Sequence, residues 1–256
     1  MEKIIVNNAQ LNYRFTPWDE KSFEMDTREI MSIEYQDEND LAQLIEEFEK
    51  TLKSDTLVYF RQDSNDQIAK KVLLSHGYYI TEASLQIKLT KVNKVDFSKI
   101  YRNNLEIDNQ INEDEIKQIE DIAYHSFNYS RFHEDPFLDI EKSRKRYANW
   151  INDIIEQGKE VYVYRQNDEI ISFQFYTIEN NKADLILGGS KEGYGMMTLY
   201  FFSTLMTDLQ KKGIKKMETM ISASNIGILN TYMSFGYTNE RTFFDYHKIV
   251  NTLKRG

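Results

Sequence analysis

The spacing of apolar residues divides the chain into short periodic segments separated by polar punctuation. Leu11 to Phe15 reads as extended and leads into Pro17-Trp18-Asp19, and Arg28 to Tyr35 has strand character through Ile30, Met31, Ile33 and Tyr35. Behind Asp37-Glu38-Asn39-Asp40, the residues Leu41, Leu44, Ile45, Phe48 and Leu52 recur at helical spacing. The acids then fall in the first turn, where the helix dipole favours them. Thr56 to Phe60 predicts a short buried strand. Ile68, Ala69, Val72 and Leu73 predict a helix ended by Gly77, and Tyr78 to Leu89 a long extended run. The polar, lysine-rich stretch that follows has no period and predicts a linker, residues 91–104. It separates an N-terminal domain, residues 1–90, from a C-terminal one, residues 105–256.

The second domain begins with a strand at Leu105 to Ile107. A helix marked by Ile116, Ile119, Ile122 and Ala123 follows, then a loop from Asn128 to Pro136 and a helix with Tyr147, Trp150, Ile151, Ile154 and Ile155. Three extended runs come next, Val161 to Arg165, Ile170 to Ile178 and Ala183 to Leu187, with polar clusters between them that punctuate hairpins. A loop bearing Gly188, Gly189, Gly193 and Gly195 opens a helix with Leu199, Phe202, Leu205, Met206 and Leu209, ended by Gly213. Lys216 to Ser222 is a strand, Asn225 to Phe235 a helix and Tyr237 to Ile249 the last strand. A meander followed by crossovers predicts a mixed α/β sheet rather than a doubly wound one.

Two segments echo one another. Asp66 to Tyr78 and Asn225 to Tyr237 have equal length, both end Ser-x-Gly-Tyr, and both precede a long strand. A duplicated half-domain explains this; so does any helix that ends at glycine before a strand. Leu73 stands in the first copy where Tyr232 stands in the second, and Gly77 is the first glycine in the chain.

Composition narrows the chemistry. The 256 residues include no cysteine, which removes disulfides, thiolate metal sites and cysteine nucleophiles and fits a reducing cytoplasm. The formal charge of −9 shows no basic face for nucleic acid, and no run is long and apolar enough for a membrane. A small-molecule partner is expected, and a homodimer is kept as an option. His133-Glu134-Asp135 lacks the second histidine at helical spacing that a metal site would need, so no metal is expected.

The spacing from Asn225 to Tyr232 to Gly236-Tyr237 resembles the C-terminal signature of the GNAT N-acetyltransferases, and Gly193-Tyr194-Gly195-Met196 is similar to that family's pyrophosphate turn. Ser190 stands where the family usually carries Gln or Arg. The resemblance covers residues 105–248. It implies a GNAT-like mixed sheet flanked by helices, preceded here by a degenerate half-GNAT-like α/β domain that holds no cofactor. It implies acetyl-CoA as cosubstrate, bound by Gly193, Tyr194, Gly195, Met196 and Asn225, with a main-chain N–H near Leu187 facing the thioester oxygen. Tyr232 would protonate the leaving thiolate.

Ser130-Arg131-Phe132-His133, Tyr147, Trp150 and Pro17-Trp18-Asp19 further resemble the sugar-nucleotide amine acetyltransferases of the TDP-fucosamine type. On that likeness Arg131 and Phe132 bind the acceptor, His133 takes the amine's proton, and Trp18 or Tyr13 walls the acceptor cleft. The plain alternative is a solvated loop anchored by Phe132. A catalytically silent GNAT-like module that binds a ligand or partner is the alternative to an enzyme.

Overall fold

In the computed structural model, which describes residues 1–53, 55–97 and 105–250, the strands are β1 Glu2–Val6, β2 Ala9–Phe15, β3 Asp26–Glu34, β4 Thr56–Asp63, β5 Tyr79–Thr90, β6 Ile107–Asp108, β7 Glu160–Gln166, β8 Glu169–Glu179, β9 Lys182–Ser190, β10 Lys216–Ser222 and β11 Thr238–Val250. The helices are α1 Pro17–Phe23, α2 Glu38–Lys50, α3 Gln67–Ser75, α4 Glu113–Ser126, α5 Ile140–Glu156, α6 Gly195–Lys211 and α7 Ile226–Ser234. β1 and α1 were not legible in the pattern. β1 is too short and too exposed to show a period, and α1 begins at Pro17, whose missing N–H costs nothing at a helix start. β9 also runs on through Gly188 and Gly189, which pair with β8 rather than forming a loop.

All eleven strands join one sheet in the order β1-β2-β3-β4-β11-β5-β10-β9-β8-β7-β6. The centre of that order is an exchange. β11, the last strand, lies antiparallel between β4 and β5, and β5 lies antiparallel between β11 and β10. Each half of the chain therefore completes the other half's sheet.

The two halves repeat the unit strand–helix–strand–helix–strand: β3-α2-β4-α3-β5 and β9-α6-β10-α7-β11. Their short helices match closely. Asp66 caps α3 by accepting from Ala69 N at 2.9 Å, and Asn225 caps α7 by accepting from Ile228 N at 3.2 Å. Both helices end in the same wrap, Tyr78 N to Leu73 O at 3.0 Å and Tyr237 N to Tyr232 O at 3.2 Å, across Gly77 and Gly236 in the left-handed region. The N-terminal half is thus a degenerate copy of the second.

Strand alternation assigns the faces. α2 and α3 cover Val58, Phe60 and Tyr246, and α6 and α7 cover Ile87, Leu89, Leu185 and Met217. The opposite face carries α4 and α5 over Val163, Phe173 and Phe175. There Phe132, from the loop between α4 and α5, packs with Phe23, Leu57 and Tyr59 of the N-terminal half. Within the predicted linker, Val92 and Phe97 are buried in the C-terminal core, and residues 98–104 lie outside the described residues. No helix among the described residues is long and apolar enough to cross a membrane.

A buried ion pair fastens the halves on this face. Arg146 of α5 donates to Asp19 of α1 at 2.8 Å, and the Tyr59 hydroxyl also donates to Asp19. Removing one member leaves a buried charge without compensation, so Asp19→Ala is expected to cost about 3–5 kcal/mol. Urea unfolding measures this; a loss under about 1 kcal/mol would show the pair to be dispensable.

Candidate functional site

β9 and β10 run together only at their start. Lys182, Ala183 and Asp184 pair in parallel with Lys216, Met217 and Glu218, and the Thr219 hydroxyl then donates to the Leu185 carbonyl at 2.9 Å. Beyond that point the strands part. β9 stays on β8 as far as Ser190 opposite Ser172, while β10 stays on β5 as far as Ser222 opposite Ser84. Both strands then present edge peptide groups without a strand partner. A bulge adds to this: Phe175 faces Leu187 and Tyr176 faces Leu185, which makes Ile186 an extra residue that re-aims the neighbouring peptides. The opening is a cavity of ≈ 910 Å³ whose lining includes Leu187, Gly188, Gly193, Gly195, Asn225 and Tyr232.

At its mouth stands the N-terminus of α6. Tyr194 precedes the helix without a side-chain cap, and the first turn carries no acid. Met197 N donates to the Tyr194 carbonyl at 2.9 Å, and the N–H groups of Gly195 and Met196, with the positive end of the helix dipole, are left for an anion. Gly193 turns the chain into the helix at φ +85°, a conformation that a side chain would strain. Gly188 serves closeness instead, since a Cβ there would meet the Phe173 carbonyl oxygen at 2.9 Å. The equivalent end of α2 in the first repeat has the opposite character. Asp37 caps it by accepting from Asp40 N at 2.9 Å, and Glu38 and Asp40 occupy the first turn.

Tyr232 sits where the strands part. Its ring meets Phe202 and Tyr237 edge-on, with centroids 5.2 and 4.9 Å away, and its phenol lies near the Thr219 hydroxyl. Burial raises its pKa above the ordinary tyrosine value, so it keeps its proton at neutral pH.

The structure thus brings Leu187, Gly193, Gly195, Asn225 and Tyr232 to one cleft. Asn225 also spends its side chain on capping α7. Tyr194 and the exposed Met196 adjoin the turn without lining the cavity. The acceptor residues read from the 128–136 loop lie off the cavity wall. The Arg131 guanidinium is enclosed over the Tyr59 ring at 4.7 Å and reaches Glu29 and Asp245 at 3.4 and 3.6 Å. Phe132 is core. His133 is held through Nδ1 by the Ser130 hydroxyl at 2.8 Å, and no described residue pairs with its buried Nε2. Trp18 takes the Arg14 guanidinium at 5.2 Å and Tyr13 packs on Phe48, so neither walls the cleft.

Sequence reading missed what the first half does supply. Arg61 of β4 and Glu82 and Gln86 of β5 line the cavity along with Ser130, Tyr147 and Trp150. No local pattern marks them, because only the strand exchange brings β5 beside β10. Among the described residues no three His, Cys, Asp or Glu side chains are grouped to hold a metal ion.

No protein-family model and no curated protein sequence matches the chain. Solved structures share its fold. A GCN5-related N-acetyltransferase from Kribbella flavida superposes with TM-score 0.62 at 10% identity, over 98% of this chain and 91% of that one. A tandem GNAT protein from the clavulanic acid biosynthesis pathway gives 0.56 at 11%, over 87% and 75%. A GCN5-related glucosamine N-acetyltransferase region of a fungal multi-domain GH3 β-N-acetylglucosaminidase gives 0.65 at 10%, over 94% and 31%. The fold is therefore that of the GNAT acetyltransferases.

Burial, aided by the Arg144 and Arg146 charges, lowers the His133 pKa from 6.5 to about 4. The unfolded chain accepts a proton that the folded one refuses. The contribution is whole above pH 6.5 and is lost as pH falls toward about 4. His133→Asn is expected to flatten part of the stability loss in that window. An unchanged slope in denaturant titrations would contradict it.

Proposed function

We propose that the chain transfers an acetyl group from acetyl-CoA to the primary amine of a small molecule, an amino sugar in the first instance, by direct attack on the thioester. The carrying observation is the parting of β9 from β10 beside an uncapped, acid-free helix N-terminus. That geometry suits an elongated ligand with an anionic end. The leading amides of α6 would hold the pyrophosphate, and the edge peptides near Leu187 would face the thioester oxygen as negative charge develops on it. Tyr232, buried and protonated, would give its proton to the departing sulfur.

The acceptor would enter from the face covered by α4 and α5, where Tyr147 and Trp150 offer an aromatic wall to a sugar ring. The fungal glucosamine acetyltransferase region makes glucosamine the first acceptor to test. On this reading the protein works in the cytoplasm, where acetyl-CoA is available.

Calorimetric titration is expected to show acetyl-CoA binding between about 1 μM and 1 mM, the usual range for substrates. Release of free thiol should then depend on glucosamine. No heat and no thermal shift at saturating acetyl-CoA would overturn the enzyme reading and leave a silent binding module.

Tyr232→Phe removes only the hydroxyl and should leave acetyl-CoA binding intact. Turnover should fall by about 100- to 10,000-fold, the range of general acid contributions. Unchanged turnover would show that the thiolate leaves without this proton.

A further inference from the structure

The N-terminal half contributes Arg61, Glu82 and Gln86 to the cleft wall, together with Ser130, Tyr147 and Trp150. On the face beneath the 128–136 loop, the exchange sets Arg61 opposite Asp245 across β4 and β11, and Asp245 opposite Glu82 across β11 and β5. These charges are mostly committed. Asp245 meets Arg61 Nε at 2.9 Å and accepts from the Ser84 hydroxyl at 2.5 Å, and it lies 3.6 Å from Arg131. Glu134 accepts from the Ser222 and Ser224 hydroxyls at 2.6 and 2.7 Å. Two buried carboxylate oxygens of this cluster, Asp245 Oδ1 and Glu82 Oε2, have no hydrogen-bond donor among the described residues, and of the two residues only Glu82 lines the cavity. Glu82 is 5% exposed. A buried carboxylate that the protein's own donors leave incompletely satisfied, in a residue lining a substrate-sized cleft, has capacity to accept from a ligand.

We propose that Glu82 binds the acceptor as a primary ammonium and takes a proton from it, so that the strand lent by the N-terminal half supplies the base and selects cationic amines. The proposal rests on the acetyl-transfer reading. In the first step the N–H bond of R–NH3+ breaks and its proton passes to the Glu82 carboxylate, leaving R–NH2. The nitrogen lone pair then forms the C–N bond at the thioester carbonyl, and the C–S bond breaks. Sulfur takes the Tyr232 proton, and the second proton lost by nitrogen restores the phenol through solvent. The Glu82 proton leaves to water. Substrate ammonium and thioester thus give amide, free thiol and one proton.

The surroundings suit the task. Burial, then the Asp245 and Glu134 charges, push the Glu82 pKa up to about 7, against the opposing pull of Arg61 and Arg131. A base that titrates near the working pH is the most effective. His133 is worse placed, since its ring does not line the cavity and its pKa falls to about 4, too low to draw a proton from an ammonium.

The test compares glucosamine with hydroxylamine, a small acceptor whose nitrogen is largely uncharged above neutral pH. With glucosamine, turnover of the unmodified protein should rise with pH through about 7. Glu82→Gln should lower it about 100- to 10,000-fold while acetyl-CoA binding and hydroxylamine turnover stay within about tenfold. Arg61→Gln removes a cation that favours the ionised carboxylate and should move the limb to higher pH. The substrate's own titration is common to all variants, so a limb that moves belongs to the protein. Unchanged glucosamine turnover in Glu82→Gln, with acetyl-CoA still bound, overturns the assignment. If Glu82→Gln fails to fold, an unmoved limb in Arg61→Gln overturns it instead. Failure of the unmodified protein to bind acetyl-CoA would remove the underlying acetyl-transfer reading, a different result.

Discussion

The exchange of β5 and β11 is the constraint on which the rest of the molecule depends. β10 has β5 as its antiparallel neighbour where β9 leaves it, so the free edge of the cleft is held from the N-terminal half. β11 in turn carries Asp245 and His247 to the face that the α4–α5 loop covers, and His247 Nδ1 meets Asp135 at 2.7 Å within that loop. Contacts this distant in sequence order slowly. Once made, they fix both walls of the cleft together.

The two copies of the fold unit have kept their backbone and exchanged their chemistry. At the helix that would face a pyrophosphate, one copy has Asp37 as cap with Glu38 and Asp40 behind it, and the other has an uncapped Tyr194-Gly195 turn. A carboxylate already occupies the first and would repel a second anion; the other is left for one. At the second helix, Leu73 is buried with α2 in one copy while Tyr232 reaches the cleft in the other. The first copy carries acids at that helix start and still supplies Arg61, Glu82 and Gln86 to the cavity wall.

Much of this was legible in sequence where the signal is local. Helical spacing from Leu41 to Phe48, the glycine stops at Gly77 and Gly236, and the turn at Gly193 each follow from side chains near in sequence. Tyr232 stands out through a resemblance carried by its spacing from Asn225, and the fold places it on the cavity wall. What escaped depends on distant partners. Arg131 reads in sequence as a ligand for an anion, and only the fold shows it between Glu29 and Asp245. Glu82 sits in an alternating strand where a carboxylate reads as solvent-facing. It is buried where β5 pairs with β11, opposite Asp245. Gly188 and Gly189 looked like a loop because glycine is rare inside strands, yet the close approach of the Phe173 carbonyl is what calls for Gly188.

Hydrogen exchange with and without acetyl-CoA tests the central claim most directly, because it reports both copies of the fold in one sample. The account predicts slowed exchange at the amides of β9 and the first turn of α6, residues 185–198, and none at the equivalent start of α2, residues 37–41. Protection at the start of α2, or equal exchange with and without the ligand in both segments, would contradict it.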